Sequence, residues 1–430
     1  MYLYRKAIEK LREWKNSYNR KPLILEGARQ VGKTSLVKKF GEEFYDSVAY
    51  VNLEEDALAR EIFDEDFEPK RILARLSIRT GVEIVPEKTL IVIDEVQENP
   101  RALTALKYFC EEAPQYHVVV AGSLLGISFH KGVSYPVGKV DYVKVHPLTF
   151  AEFLMAVGEG RLAEELVERD FELLRPFHEK LNEYLKQYMV VGGMPEVVRT
   201  FVEEGSMLNV REVQSRINKD YQNDFSKHAD RFDAPKILEI FNTMPAVLAK
   251  ENKKFMFGMI KSSARAREYE AALLWLVDSE IATRVNRITK LAVPPAAYLD
   301  TGAFKLFAVD IGLLGEKAAL NPEMIYNEKA FEEFKGTLAE QFVFQELHAK
   351  DMPIFYYSAD QSNTEIDFVV GQGDGVLPIE VKSGKNLGSG SLNRVLEKDA
   401  ELKAVKLSMM PYQENERITN IPLYATMIIE

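Results

Sequence analysis

The run Gly27-Ala28-Arg29-Gln30-Val31-Gly32-Lys33-Thr34 sets two glycines around four residues and follows them with a lysine and a hydroxyl. That spacing suits a loop that wraps phosphate. Glycines let successive backbone amides curl toward an anion, and a helix that follows offers its unpaired N–H groups to the same charge. In this chemistry Lys33 reaches the β- and γ-phosphates of ATP and the Thr34 hydroxyl ligates Mg2+. The expected nucleotide contacts are Gly27, Ala28, Arg29, Gln30, Val31, Gly32, Lys33, Thr34 and Ser35. A carboxylate pair, Asp94 and Glu95, closes the apolar run Leu90-Ile91-Val92-Ile93. Acids at the end of a buried strand stand where α/β sheets bind ligands. Asp94 is expected to hold Mg2+ through water, and Glu95 to orient or deprotonate the attacking water. Ser123, just past the apolar run that ends at Ala121, reads either as a contact to the γ-phosphate or that water, or as a turn residue after the strand. Gln97 reads either as a reporter of nucleotide state or as a polar helix cap.

A second set of acids lies far downstream. Glu365-Ile366-Asp367 and Pro378-Ile379-Glu380-Val381-Lys382 read as neighbouring strands. The two-residue period of a strand puts Glu380 and Lys382 on one face, and a hairpin brings Asp367 beside them. Glu340, on the preceding helix, completes the set. Asp367 and Glu380 would bind Mg2+, Lys382 would position water or stabilise developing charge, and Glu340 would tune the site. The other reading of the same letters is alternating charge on a solvated sheet face. Arg265, Arg267, Arg284 and Arg287 are candidate DNA phosphate contacts, or else solubilising surface charges. His117, His130, His146, His228 and His348 lack metal-site spacing, and the single cysteine, Cys110, reads as core.

These groups need elements to hold them. Residues 4–16 place Ile8, Leu11 and Trp14 a helical turn apart. Pro22–Glu26 is a short apolar strand before the loop, and Ser35–Glu43 is the helix after it. Val48–Leu53, Thr89–Ile93 and His117–Ala121 read as further strands, and Glu54–Ala74 as an acidic helical region. Continuous apolarity marks parallel strands covered on both faces. Phe150–Met189 is mostly helical, Gly192, Gly193 and Pro195 mark a breakpoint, and residues 209–290 are again helical. Ala266–Val277 followed by a hairpin over Glu280–Val293 has the order of a winged helix. Phe304–Val309 is a strand, and a helix over Leu338–His348 leads to strands at Ile354–Tyr357, Glu365–Val370 and Leu377–Lys382. Gly384–Gly390 is a Gly/Ser loop, read either as closing over a groove or as a simple connection.

Composition bounds the class. The 430 residues suggest about three domains at ~150 residues each. With 55 basic and 66 acidic residues the formal charge is −11, so the whole-chain field does not favour nonspecific nucleic-acid binding. One cysteine allows no intrachain disulfide, and no run has the ~20 apolar residues of a membrane span. A cytoplasmic protein with no membrane partner is the expectation.

The phosphate loop, the Ile91–Gln97 strand end and Ala121–Ser123, in that order, resemble the additional-strand P-loop ATPases of the AAA+ class, in which the Ser123 position is called sensor 1. With Pro147-Leu148, Phe150–Phe153, Gly192–Glu196 and Lys305–Leu313, the chain resembles the prokaryotic family that joins an AAA-type ATPase domain to a C-terminal domain of unknown function, DUF4143. The downstream carboxylates and lysine resemble the PD-(D/E)xK nuclease superfamily. Together these imply an α/β protein: an AAA-type P-loop ATPase domain over residues 1–190, a helical, winged-helix-like middle over 191–300, and a nuclease-like α/β domain over 301–430. The implied activity is Mg2+-dependent ATP hydrolysis coupled to movement of a DNA-binding or nuclease-like C-terminal domain. The alternative is a nucleotide-regulated switch for DNA or a protein partner whose nuclease fold is inert. Homo-oligomers are common among AAA-type domains. Relatives often carry Gly-Arg before the Pro-Leu segment where this chain has Gly138-Lys139, and lysine lacks the bidentate fork of an arginine finger. Arg211 and Arg216 are the candidate substitutes.

Overall fold

The computed structural model describes residues 1–122, 136–250, 254–322, 332–360, 364–383 and 388–430. They pack as two compact units, one of residues 5–146 with 278–280, the other of residues 1–4, 147–277 and 281–430.

The first unit is built on a five-stranded parallel sheet in the order β2-β3-β4-β1-β5. The strands are β1 (Leu23–Glu26), β2 (Ser47–Asn52), β3 (Thr89–Asp94), β4 (His117–Ala121) and β5 (Asp141–Lys144). Every residue of β3 and β4 is buried, which is why their sequence is continuously apolar and not alternating. Leu103, Leu106 and Phe109 from the helix Pro100–Glu112 belong to the same core as Ile91, Ile93, Val118 and Val120. The acidic region after β2 splits into helices Ala57–Glu61 and Pro69–Thr80, because Pro69, lacking an N–H, fits the first turn of a new helix. With β4 between them, the ends of β1 and β3 face the same edge of the sheet.

The second unit holds a seven-stranded sheet in the order β12-β11-β10-β9-β8-β6-β7. Its strands are β6 (Ala282–Ile288), β7 (Leu299–Ala308), β8 (Ile354–Ser358), β9 (Glu365–Gln372), β10 (Gly375–Lys382), β11 (Ala404–Ser408) and β12 (Ile418–Pro422). The helix Glu332–His348 precedes the antiparallel run β8-β9-β10, and the helix Gly390–Lys398 crosses to β11, which is parallel to β10.

Two expectations change here. The hairpin is real but longer than Glu280–Val293: its second arm is β7, which includes the expected strand Phe304–Val309 up to Ala308. It is also not a free wing, because Asn286, Arg287 and Ile288 of β6 pair in parallel with Phe355, Tyr356 and Tyr357 of β8. The sheet therefore runs across the expected boundary between residues 300 and 301. The helices between Phe150 and Val191, read with residues 1–190, pack in the second unit. The reason lies in the rings: Phe150 and Tyr188 meet Phe342 edge-on at 6.1 and 5.8 Å. Burying such a ring stabilises by about 2 kcal/mol. Periodicity tells which face of a helix is apolar, but not which partner covers it. The loop Gly384–Gly390 lies partly outside the described residues.

Candidate functional site

The loop after β1 is held in a shape that only glycine permits at its entry. Gly27 has φ 144°, and a Cβ there would stand 2.3 Å from the carbonyl oxygen of Val145. Gly32, with φ 96°, starts the helix Lys33–Phe44, whose Leu36, Val37 and Phe40 face the core. Lys33 is buried, and its Nζ donates to the carbonyls of Gly27 at 2.7 Å and Ala28 at 2.8 Å. Burial lowers its pKa to about 8, against the pull of Glu95, Glu280 and Asp94. Arg29 and Gln30 are half-buried, Ala28 and Val31 are buried, and Ser35 is exposed.

Asp94, at the end of β3, is buried and well supplied with donors. Thr34 Oγ1 donates to its Oδ2 at 2.7 Å, and the Tyr50 hydroxyl donates to the same oxygen at 3.0 Å. Sequence reasoning missed Tyr50. Its one signal was a lone polar-tipped ring on β2, the strand paired with β3, and burial together with proximity to Asp94 raises its pKa. Glu95 has the left-handed φ of 51°, which turns it away from the strand direction. Burial raises the Glu95 pKa, while the Gln97 amide, 2.5 Å from Glu95 Oε2, opposes that rise. Ser123 lies outside the described residues. Magnesium in a phosphate loop needs one or two protein ligands beside the phosphates. The Thr34 hydroxyl and Asp94 carboxylate, already adjacent, fit that demand.

The downstream set also assembles, with an addition. Ile379 pairs with Phe368, so Glu380 stands across from Asp367, and Asp367 Oδ2 accepts the Val381 N–H at 2.8 Å. Lys382 Nζ lies 2.8 Å from Glu380 Oε1. Glu340 and Glu380 are buried, whereas Asp367 and Lys382 are half-buried. The addition is Lys305 of β7, only 1% exposed, with its Nζ 2.6 Å from Glu365 and 3.8 Å from Glu340. Burial disfavours this ammonium, yet Glu340, Glu365 and Asp367 together raise its pKa. Among the described residues no group of three or more His, Cys, Asp or Glu is arranged to hold a metal ion. The Lys305 ammonium already meets Glu365 and Glu340, so part of the negative charge of this cluster is neutralised by the chain itself, whereas Glu380 Oε2 is buried without a hydrogen-bond donor among the described residues.

The candidate DNA arginines divide. Arg265 and Arg267 are exposed. Arg287 is tied to Asp300 at 3.1 Å, to Asp360 and to the Ser358 carbonyl, and Arg284 packs over the Phe304 ring at 4.1 Å. Those two therefore serve the sheet. Of the candidate fingers, Arg211 bonds Gln214 and the Gly312 carbonyl, and burial lowers its pKa to about 10. Arg216 pairs with Glu196, and Lys139 pairs with Glu111 at 3.0 Å.

Residues 19–154 match a family described as an AAA domain (AAA_14). The N-terminal domain is of the AAA type. At the level of that superfamily the match carries ATP binding and hydrolysis coupled to conformational change. Residues 182–323 match a domain of unknown function, DUF8612, and residues 335–427 match another, DUF4143. No curated protein is a match to the chain. Among solved structures, the chain is similar to the Walker-type ATPase paby2304 of Pyrococcus abyssi, at 16% identity and TM-score 0.47, covering 74% of this chain and 96% of that one. It is also similar to the Orc1 protein of Aeropyrum pernix in complex with DNA, at 13% identity and TM-score 0.29, covering 73% and 91%. A third is a single-substitution variant of the RuvB protein of Thermotoga maritima, at 14% identity and TM-score 0.27, covering 65% and 88%. Among the described residues no helix is long and apolar enough to cross a membrane.

Proposed function

We propose that the chain is a Mg2+-dependent ATPase whose nucleotide state moves its C-terminal part. The carrying observation is the triangle of Lys33, Thr34 and Asp94, in which a buried ammonium is held by two backbone carbonyls and a hydroxyl already meets a carboxylate. Phosphate oxygens are stronger acceptors for an ammonium than amide carbonyls, so Lys33 would exchange Gly27 and Ala28 for the β- and γ-phosphates. Thr34 and Asp94 would hold the Mg2+, which supplies charge neutralisation on the phosphates. Glu95 would take a proton from the attacking water, a role that its raised pKa suits. Steady-state ATP hydrolysis by wild type and Lys33→Ala tests this. Turnover should fall at least ~100-fold in the variant, the loss that follows removal of one transition-state charge donor. Equal turnover in the two proteins would end the proposal.

A second reading concerns the seven-stranded sheet. The order of helix, three antiparallel strands, helix and parallel strand supports a nuclease-like core over residues 332–408, and the strand positions of Asp367, Glu380 and Lys382 support it too. Lys305 favours the inert form of that reading: a fixed cation inside the carboxylate cluster does the neutralising that a nuclease leaves to its metal. The sheet would then act as a binding platform, with the exposed Arg265 and Arg267 as its candidate DNA contacts.

A further inference from the structure

Arg5 is buried although it stands in a charged N-terminal segment. One terminal nitrogen donates to the carbonyl of Val31, inside the phosphate loop, at 2.7 Å. The other donates to the carbonyl of His146. Both acceptors have meaning in the chain path. Val31 lies between the loop glycines, and His146 is the last residue of the first unit before the backbone passes at Pro147 into the second. Arg5 itself is the first residue after the other crossing, between residues 4 and 5.

The exit is stiff on both sides. Before it, Val145 N–H donates to Glu26 at 2.9 Å, and Gly27 packs against the Val145 carbonyl too closely for any side chain. After it, Leu148 N–H donates to the Gly193 carbonyl at 2.7 Å, and the Tyr188 hydroxyl donates to the Leu148 carbonyl. Gly193 is as constrained as Gly27, since a Cβ there would stand 2.2 Å from the Leu148 oxygen. Thus only His146 and Pro147 separate the loop's clamp from the anchor of the following segment, and proline fixes one of the intervening dihedrals. A planar fork can hold two carbonyls at once in a set geometry, which a flexible point charge cannot.

We propose that Arg5 is a positioning residue that ties the phosphate loop to the chain's exit at residues 146 and 147, so that phosphate occupancy is passed to Leu148–Phe153. This rests on the reading of Gly27–Thr34 as an ATP site. Loop amides that close on phosphate turn the Val31 peptide, and with it the carbonyl that Arg5 holds. The guanidinium then shifts the His146 carbonyl, and the strain reaches a segment pinned at Leu148.

The test compares wild type and Arg5→Lys, the variant that keeps the charge and loses the fork. Three readouts are taken: binding of a fluorescent non-hydrolysable ATP analogue, the melting temperature, and amide hydrogen exchange of residues 148–153 with and without that analogue. Wild type should bind the analogue and change exchange over 148–153. Arg5→Lys should melt normally and bind within about fivefold of wild type, the lower edge of ordinary coupling, while its nucleotide-dependent exchange change is lost. A retained exchange change in the variant overturns the proposal, as does its absence in wild type that binds. Should Arg5→Lys melt normally but fail to bind, Arg5 belongs to the nucleotide site and the proposal falls. If the lysine variant melts early, Arg5→Gln, which is neutral and has a single donor nitrogen, is read by the same criteria. Absence of binding in wild type would instead fell the reading of the phosphate loop, on which this one stands.

Discussion

Lys33 and Lys305 are both buried ammonium groups in the same chain, and they differ in what holds them. Lys33 is held by the carbonyls of Gly27 and Ala28, and burial prevails, lowering its pKa to about 8. Lys305 is held by Glu365 and Glu340, and there the carboxylates prevail over burial and raise its pKa. The pair forms an internal control. Burial penalises both ammonium groups and carboxylates act on both, but only Lys305 is in direct contact with one, at 2.6 Å from Glu365. A carbonyl carries only a partial charge, whereas a carboxylate supplies a full one. The acids show the same contrast: Asp94 accepts hydrogen bonds from two hydroxyls, while the downstream carboxylates face Lys305 and Lys382. On the proposed reading the first site takes its counter-charge from a ligand, whereas the second is furnished with one by the chain.

The hardest blow to that contrast comes from Lys305→Met. A methionine fills much of the same space but leaves Glu365 and Glu340 without their cation, and breaking a buried pair in this way costs about 3 kcal/mol. Denaturant unfolding should show a loss of that order, with ATP-analogue binding unchanged. A stability equal to wild type would mean that Lys305 neutralises nothing. A gentler change sharpens the other half. Tyr50→Phe removes one of the two hydroxyl donors to Asp94, a hydrogen bond to a charged group worth about 1.5 kcal/mol, so Mg2+-dependent turnover should change roughly tenfold. Unchanged turnover would leave Thr34 as the sufficient donor.

The effect that is smallest per measured step, one pH unit, concerns a buried acid whose donor is a backbone amide. Glu346 accepts the Phe150 N–H at 2.7 Å, and burial pushes its pKa up to about 8, with Lys350 only partly opposing. Folding therefore keeps a proton that the unfolded chain, with an ordinary pKa of 4.5, releases. The stability from this group is complete below pH 4.5 and is lost as pH rises through about 8. Between neighbouring pH values the slope is at most about 1.4 kcal/mol per unit. Melting temperature measured from pH 5 to 8 should fall more steeply in wild type than in Glu346→Gln, and parallel curves would remove Glu346 from the balance.

Legibility in the sequence followed locality. The strand, loop and helix around Lys33 can be read because β1, the glycines and the helix are consecutive, and because strands buried on both faces are apolar throughout. The placement of Asp94 follows from the same rule. Asp367, Glu380 and Lys382 were readable as neighbours because one short turn joins β9 to β10. Lys305 was not, since it belongs to an apolar run sixty residues before Glu365, and its pairing depends on how β6 and β7 dock beside β8. Arg5 looked like one more charge in an amphipathic segment. Its role depends on two carbonyls, which no residue letter encodes. The break at residue 146 was hidden for a similar reason: Phe150 and Tyr188 announce that they are buried, but not that Phe342 covers them.

Titration of Mn2+, as a probe for Mg2+, into the full chain by calorimetry addresses the contrast directly, with and without a non-hydrolysable ATP analogue. After subtraction of the heat of Mn2+ binding to the analogue alone, the ion should bind only when the analogue is present, disappear in Asp94→Ala and persist in Asp367→Ala. An ion bound without nucleotide and lost in Asp367→Ala would contradict that contrast, because the carboxylates of the seven-stranded sheet would then be a metal site despite Lys305.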